Sequence, residues 1–299
     1  MLYDLRLKIA YKYAAKAGSS RHIIRVTPRE LPGRQRTIVS SLEIAPRPAE
    51  RSTFRDSFGN EAQDVFLRGE HTRFDITVRA RIERQAAIPL AFPDARIEAL
   101  EEAIRRHRDL GPDSPHHFKA RSRLVRPGLE TTGFALGVLP EGAGVVEAVR
   151  RIGEALHAEM IYDVNATDVD TPHEAAFSAR RGVCQDISHI MIACLRGVGI
   201  PAGYVSGLLR TRPPPGKERL AGADAMHAWV RAWCGPDIGW IEYDPTNAIE
   251  AGDQHIVVAY GRDYSDVSPA KGVLRMAGSQ QSSQSVDLVE ADPAGAPAV

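Results

Sequence analysis

The 299 residues carry 38 basic and 38 acidic side chains, a formal net charge of zero, with 43% hydrophobic and 25% charged residues. This is an ordinary globular composition in a chain long enough for two domains with cores of their own. The charge balance argues against a polyanion-binding protein, so no nucleic-acid partner is expected, and there is no run of about 18 apolar residues to span a membrane.

The opening MLYDLRLKIAYKYAAKAG alternates apolar and polar residues and lacks the unbroken apolar centre of a secretory leader. The pattern stays β through about residue 90. Leu5, Leu7, Ile9 and Tyr11 alternate with polar neighbours, Ile38, Leu42 and Ile44 keep one phase, and Phe74, Ile76, Val78, Ala80 and Ile82 form the cleanest period-two run. Phe58-Gly59-Asn60-Glu61 is a hairpin-type turn. Short strands of this kind predict an antiparallel, sandwich-like domain over 1–90.

From Asp94 to Leu110 the period changes. Ile97, Leu100, Ile104 and His107 recur every three or four positions among charges, as on a surface helix, and Gly111-Pro112 stops it. Residues 91–144 form a helical connecting region, rich in Pro, Gly and His after Gly111. A second helix is expected from about Val145 to Met160, with Val146, Val149, Ile152 and Leu156 on one side, opening a domain over 145–276. The last stretch, 277–299, is polar and without aromatic residues, the composition of a disordered tail.

Three cysteines, Cys184, Cys194 and Cys234, are an odd and sparse set that fits a reducing cytoplasm better than a disulfide scaffold. Neither Cys-x-x-Cys nor His-x-x-x-His spacing occurs, so no metal or cofactor is expected. From Ile187 the apolar residues Ile190, Met191, Cys194, Leu195 and Val198 make one helical stripe. Cys194 lies mid-stripe and reads as core; Cys234, in WCGPDIG, sits at a turn. Cys184 lies three residues before Ile187, on the same face at the first turn, where the positive end of the helix dipole favours a thiolate. Gly182 permits the tight approach to this helix, and Gly197 with Gly199-Ile200-Pro201 ends it. A buried small hydrophobe is the ordinary state of such a cysteine; a nucleophile is the other reading.

A partner is at hand. His227, Trp229, Arg231 and Trp233 alternate with Met226, Ala228, Val230 and Ala232 as in a strand, Trp240 to Asp244 reads as a second strand, and Cys234 to Gly239 is the short turn between them. That hairpin brings His227 near Asp244, whose carboxylate stands at the strand tip before Pro245. A carboxylate beside an imidazole fixes its tautomer and favours the imidazolium. If the start of the Cys184 helix packs on the hairpin, the three side chains make a Cys-His-Asp triad. On spacing alone, a structural strand histidine and a simple Asp-Pro turn compete with it.

Arg181-Gly182-Val183-Cys184-Gln185-Asp186, Gly199-Ile200-Pro201-Ala202 with Tyr204 to Gly207, His227-Ala228-Trp229-Val230 and Asp244-Pro245-Thr246-Asn247 together resemble the bacterial transglutaminase-like superfamily, in order and spacing as well as in letters. HIVVAYGRDYSDVSP at 255–269 is similar to its bacterial branch, and TPRE at 27–30 with RDSFGN at 55–60 resembles the β domain that precedes the core there. The resemblance spans 1 to about 275 and implies an α+β fold: an N-terminal β-sandwich-like domain, then a papain-like core with a Cys-bearing helix packed on an antiparallel sheet bearing His and Asp. It assigns Cys184 as nucleophile, His227 as general base and acid, and Asp244 as the residue orienting the imidazole. Met226, where a small residue is commoner, and the Pro-rich RTRPPPGKERLAGADA depart from the family pattern.

The implied chemistry is acyl transfer from an amide or peptide carbonyl, with a peptide or protein as substrate. The Cys184 backbone N–H is a natural oxyanion donor. Tyr162, Gln185, Asp186 and Trp229 are candidates for a second donor or for substrate contacts, while Asp186 equally suits a helix N-terminus. Water as acceptor gives a protease or amidase, and an amine gives a cross-linking transglutaminase. Nothing resembles a calcium loop, and hydrolysis is the favoured outcome. A non-catalytic binding protein on the same fold is the third reading, against which the intact triad stands.

Overall fold

The structure, a computed structural model, describes residues 1–86, 91–211 and 224–292. Six strands come first: β1 (Leu2–Ala17), β2 (Ser20–Ile24), β3 (Gln35–Ala45), β4 (Glu50–Arg55), β5 (Glu61–Leu67) and β6 (His71–Arg84). Four helices follow, α1 (Ile97–Arg106), α2 (His116–Lys119), α3 (Leu129–Val138) and α4 (Val145–Glu159). Next come β7 (Ile161–Tyr162), α5 (His173–Ala179), β8 (Arg181–Gly182) and α6 (Cys184–Gly197). The described residues close with β9 (Ala202–Leu209), β10 (Ala225–Trp233), β11 (Trp240–Asp244), β12 (Ile249–Glu250), β13 (His255–Gly261), α7 (Tyr264–Val267), β14 (Ala270–Leu274) and β15 (Gln280–Glu290).

The fold is α+β, with a sandwich of two four-stranded sheets in the orders β15-β1-β6-β3 and β14-β2-β5-β4. Period-two patterning builds its core. Tyr3, Leu5, Leu7 and Ile9 of β1 and Phe74, Ile76, Val78, Ala80 and Ile82 of β6 are all buried. His22 of β2 stacks on Phe74 with ring centroids 4.4 Å apart, joining the two sheets. Ile38 does not share the phase of Leu42 and Ile44, because a bulge between Thr37 and Val39 inserts it as an unpaired residue facing solvent.

The expected disordered tail is instead a strand. β15 runs antiparallel to β1 from Tyr3↔Glu290 to Tyr13↔Gln280, and Val286 and Leu288 are fully buried. Backbone pairing to β1 and two apolar anchors hold this edge strand, and its polar half lies exposed. β14 likewise pairs with β2. The boundary at 276 therefore falls inside the sandwich, which is built from both the first 84 residues and the segment 270–290. Residues 293–299 lie outside the described part.

The helix expected over 94–110 is confined to α1, because Asp94 is used elsewhere. Its carboxylate accepts from Val146 N (2.9 Å) and Glu147 N (3.1 Å), capping α4, and His107 closes α1 rather than extending its stripe. The connecting region holds α2 and α3.

The second half centres on a five-stranded sheet, β12-β11-β10-β9-β13, with α6 packed on β9 and β10. α6 is buried on every side from Asp186 to Arg196, since α3, α4 and α5 cover the face turned away from the sheet. Edge strand β13 is closed by the sandwich. The Gln35 side-chain amide gives Nε2 to Val257 O (2.7 Å) and takes Val257 N on Oε1 (2.9 Å), and Asn60 does the same with Tyr260 O (2.7 Å) and N (2.8 Å). Each amide side chain thus replaces the peptide of a neighbouring strand.

Candidate active site

Cys184 is the first residue of α6, half-buried, with the helix axis running away from it into the core. Asp186 sets this geometry. Its Oδ2 accepts from Val183 N (2.8 Å) and from Thr167 Oγ1 (2.6 Å), so the carboxylate caps the helix start. Gly182 is required there, since a Cβ would lie 2.7 Å from Asp186 Oδ2. Of the two roles open to Asp186, the structure gives it the helix terminus; it is buried and does not face the cleft.

The hairpin forms as expected. β10 and β11 pair from Val230↔Tyr243 to Trp233↔Trp240, and Cys234 N donates to Gly239 O (2.7 Å) across the turn. Continued one step, this register sets Asp244 across from Trp229, on the face that also carries His227. His227 Nε2 donates to Asp244 Oδ2 at 2.7 Å, and Cys184 lies close enough to the imidazole to act on its protonation. With Nε2 on Asp244, Nδ1 is the nitrogen left for the thiol. The structure therefore brings Cys184, His227 and Asp244 together.

Electrostatics reinforces the contact. Burial works against a charged His227, but the hydrogen bond to Asp244 and the influence of Asp244 and the nearby Cys184 outweigh it and raise the imidazole to about 10. Burial would lift Asp244, which is 0% exposed, yet hydrogen bonds from His227, His255 and Asn247 hold its carboxyl far below the usual range. Five bonds reach this carboxylate. Oδ2 accepts from His227 Nε2, Asn247 Nδ2 (2.7 Å) and His255 Nε2 (3.2 Å), and Oδ1 accepts from Thr246 N (3.0 Å) and Asn247 N (3.3 Å).

Residues 135–245 match the family described as the transglutaminase-like superfamily, and residues 3–83 match the bacterial transglutaminase-like N-terminal region. An uncharacterized protein of Mycobacterium bovis is 33% identical over 284 residues, 91% of this chain and 87% of that protein. Another, of Mycobacterium leprae, is 31% identical over 267 residues, 88% of this chain and 89% of that one. The chain belongs to the transglutaminase-like superfamily. A crystal structure from Cytophaga hutchinsonii, provisionally named a cysteine protease, shares the fold with a TM-score of 0.72 and 20% identity, over 99% of this chain and 93% of that one.

The other candidate residues of this transglutaminase-like centre separate by position. Trp229 is corrected. It is fully buried, its indole N–H donates to Glu242 Oε2 (2.8 Å), and it packs beneath His227, so it reaches neither oxyanion nor substrate. Gly207, paired with His227, leaves room for that indole, since a Cβ would stand 2.2 Å from the ring. Gln185 spends its amide N–H on Val169 O (3.1 Å), which ties down the loop after β7. Tyr162 stays at the cleft: it is 54% exposed, beside Gly182, and burial together with the nearby Cys184 charge raises its hydroxyl. The Pro-rich segment that departs from the family pattern lies, over 212–223, outside the described residues.

Two residues were not anticipated. Asn247 is a third donor to Asp244 and lies in the quoted Asp-Pro-Thr-Asn string; His255 heads a strand of five apolar residues, a buried-histidine signal. Three potential metal ligands, on His227, Asp244 and His255, lie within 4.8 Å of one another. They do not fit a cation. Gly252 N donates to His255 Nδ1 (3.3 Å), so His255 carries its hydrogen on Nε2, the atom that would have to ligate.

Beneath the site, Glu242 is fully inside the protein. Burial raises its carboxyl, but the charges of Arg34 and Arg84 and hydrogen bonds from Trp229 and Tyr260 bring it down to about 2. Among the described residues, no helix is long and apolar enough to cross a membrane.

Proposed function

We propose that the protein is a thiol-dependent hydrolase of amide or peptide bonds, with Cys184 as nucleophile, His227 as general base and acid, and Asp244 as the group orienting His227. The observation that carries this reading is the convergence of a half-exposed thiol at a helix N-terminus on an imidazole whose other nitrogen is 2.7 Å from a buried carboxylate. The Cys184 sulfur attacks the carbonyl carbon, and the oxyanion takes backbone N–H groups of the first turn of α6, which have no intrahelical acceptor. His227 delivers its proton to the leaving amine, and the C–N bond breaks. A water then gives a proton to His227 and its oxygen to the thioester carbon, which releases the acid and the thiol.

Support for a peptide substrate comes from the segment after β7. Val164 and Val169 are 65% and 50% exposed, and with Tyr162 they are apolar side chains open to solvent on the chain that runs from β7 toward α5. The segment is tied to the helix start through Asp163 N to Gly182 O (3.0 Å), Thr167 to Asp186 and Gln185 to Val169 O. Such side chains suit an apolar residue next to the scissile bond. All three cysteines are free, which supports a reducing compartment such as the cytoplasm.

The test is mass spectrometry of peptide libraries incubated with the protein and with Cys184→Ala, with and without a primary amine. Cleavage or deamidation products made only by the wild type support the reading. Amine adducts in place of hydrolysis would make it an amine-transferring transglutaminase, and no product in any arm would leave a binding protein.

A further inference from the structure

We infer that His255 is a positioning residue for the Cys184–His227–Asp244 centre, and that the N-terminal sandwich holds it in place through β13. The inference rests on the reading of that centre given above, and it assigns the sandwich a part in catalysis.

The first leg is the hydrogen-bond pattern. Gly252 N–H points at His255 Nδ1 (3.3 Å), which makes Nδ1 the acceptor and leaves the ring hydrogen on Nε2. Nε2 donates to Asp244 Oδ2 (3.2 Å), the same oxygen that receives His227. His255 is thus a fixed donor. With Asn247 it places two donors besides His227 on Oδ2, while two backbone N–H groups hold Oδ1. A carboxylate held at both oxygens cannot turn about its side-chain torsions, and the direction of the His227 ring, with Nδ1 toward Cys184, follows from it. His255 is 1% exposed, so it acts through Asp244 and touches no substrate.

The second leg is what holds His255. It opens β13, the edge strand of the sheet. Three groups from the sandwich and its loops stitch the outer side of β13: the amides of Gln35 and Asn60, each bonding in both directions, and Arg29 N, which donates to Val257 O (2.9 Å). Arg84, at the end of β6, reaches Gly252 O (3.4 Å), in the residue whose N–H sets the His255 tautomer. The chain from the sandwich to Asp244 is therefore continuous: Gln35 and Asn60 to β13, β13 to His255, and His255 to the carboxylate.

The experiment needs no known substrate. The rate of iodoacetamide alkylation at Cys184 is followed by peptide mass spectrometry at neutral pH in the full chain, for the wild type and for His227→Ala, His255→Leu, His255→Asn and His255→Gln, with melting temperatures alongside. A glutamine amide reaches the place of Nε2 and still donates, whereas asparagine reaches only the place of Nδ1 and leucine cannot donate. The expected result is slowing by about tenfold or more in His227→Ala, His255→Leu and His255→Asn, with recovery to within about threefold of wild type in His255→Gln. Asparagine provides the loss-of-contact variant should leucine prevent folding. A slow His227→Ala beside wild-type rates in both His255→Leu and His255→Asn would overturn the inference and leave the catalytic reading standing. Equal slowing in the glutamine variant would also overturn it, because it would mean the imidazole acts by packing alone. A wild-type rate in His227→Ala would overturn the reading of the centre and this inference with it.

Discussion

His227 and His255 donate to the same oxygen of Asp244, at 2.7 and 3.2 Å, from strands on opposite sides of β9. Both oxygens of that carboxylate meet only donors. An asparagine at this position must turn its own N–H₂ toward a donor whichever way it is flipped. Asp244→Asn should therefore lose about 1–3 kcal/mol of stability, seen in denaturant unfolding. Its turnover should fall by ~10³–10⁴, short of the complete loss expected of Cys184→Ala. An unchanged stability would mean that the donors around Asp244 find other acceptors.

The three thiols should separate sharply on alkylation. Cys184 is half-exposed beside an imidazole that burial opposes but Asp244 and Cys184 itself keep protonated to about 10. Burial pushes Cys194 up to about 12 and Cys234 higher still. At neutral pH, Cys184 should react at least ~100-fold faster than either of the others in the folded protein. Comparable labelling of Cys184 and Cys194 would remove the main physical support for a nucleophile.

Stability should carry the signature of the His227 contact. Its folded value, about 10, lies above the ordinary 6.5, so the stabilisation is complete below about pH 6.5 and is lost as the pH rises toward 10. The melting temperature of the wild type minus that of His227→Gln should thus be largest near pH 6 and shrink steadily to pH 10. Asp244, held low, contributes in the opposite sense: its stabilisation is present above its ordinary value of about 4 and fails only in strong acid. A difference that grew between pH 6 and 10 would refute the assignment of a raised His227.

Removing everything after Ala277 should destabilise the protein. The cut deletes β15, takes the fully buried Val286 and Leu288 out of the core and opens one side of β1 along its length. Two such side chains contribute about 3–6 kcal/mol, and the loss should lower the melting temperature by about 5 °C or more. An unchanged melting curve would mean that β15 adds nothing to the sandwich.

Legibility followed the range of the signal. The α6 stripe and the β10–β11 hairpin are local patterns. They put Cys184 at a helix start and His227 beside Asp244 from the sequence, and the family resemblance supplied the docking of one on the other. β15 was missed because its pairing partner lies more than two hundred residues away and only Val286 and Leu288 mark its buried face. α3 was not placed within the helical connecting region because LETTGFALGV has no apolar stripe: Leu129 and Leu136 face solvent while Thr131 and Ala135 are buried. Trp229 was misread because an aromatic next to a catalytic motif suits a cleft as well as a core, and the Glu242 that captures its indole N–H is on another strand. His255 and Gln35 act across the sheet edge and between domains, where periodicity along the chain carries no information.

The sandwich that receives β14 and β15 has a consequence for the order in which the molecule is made. A ribosome delivers the first 84 residues long before residues 270–290, so both sheets wait with an open edge, beside β1 and beside β2, while nearly two hundred further residues are made. The Cys184 helix and the hairpin emerge during that wait. A nascent chain therefore carries Cys184 before the frame around it is closed, and the sandwich is completed by the strands made after the core.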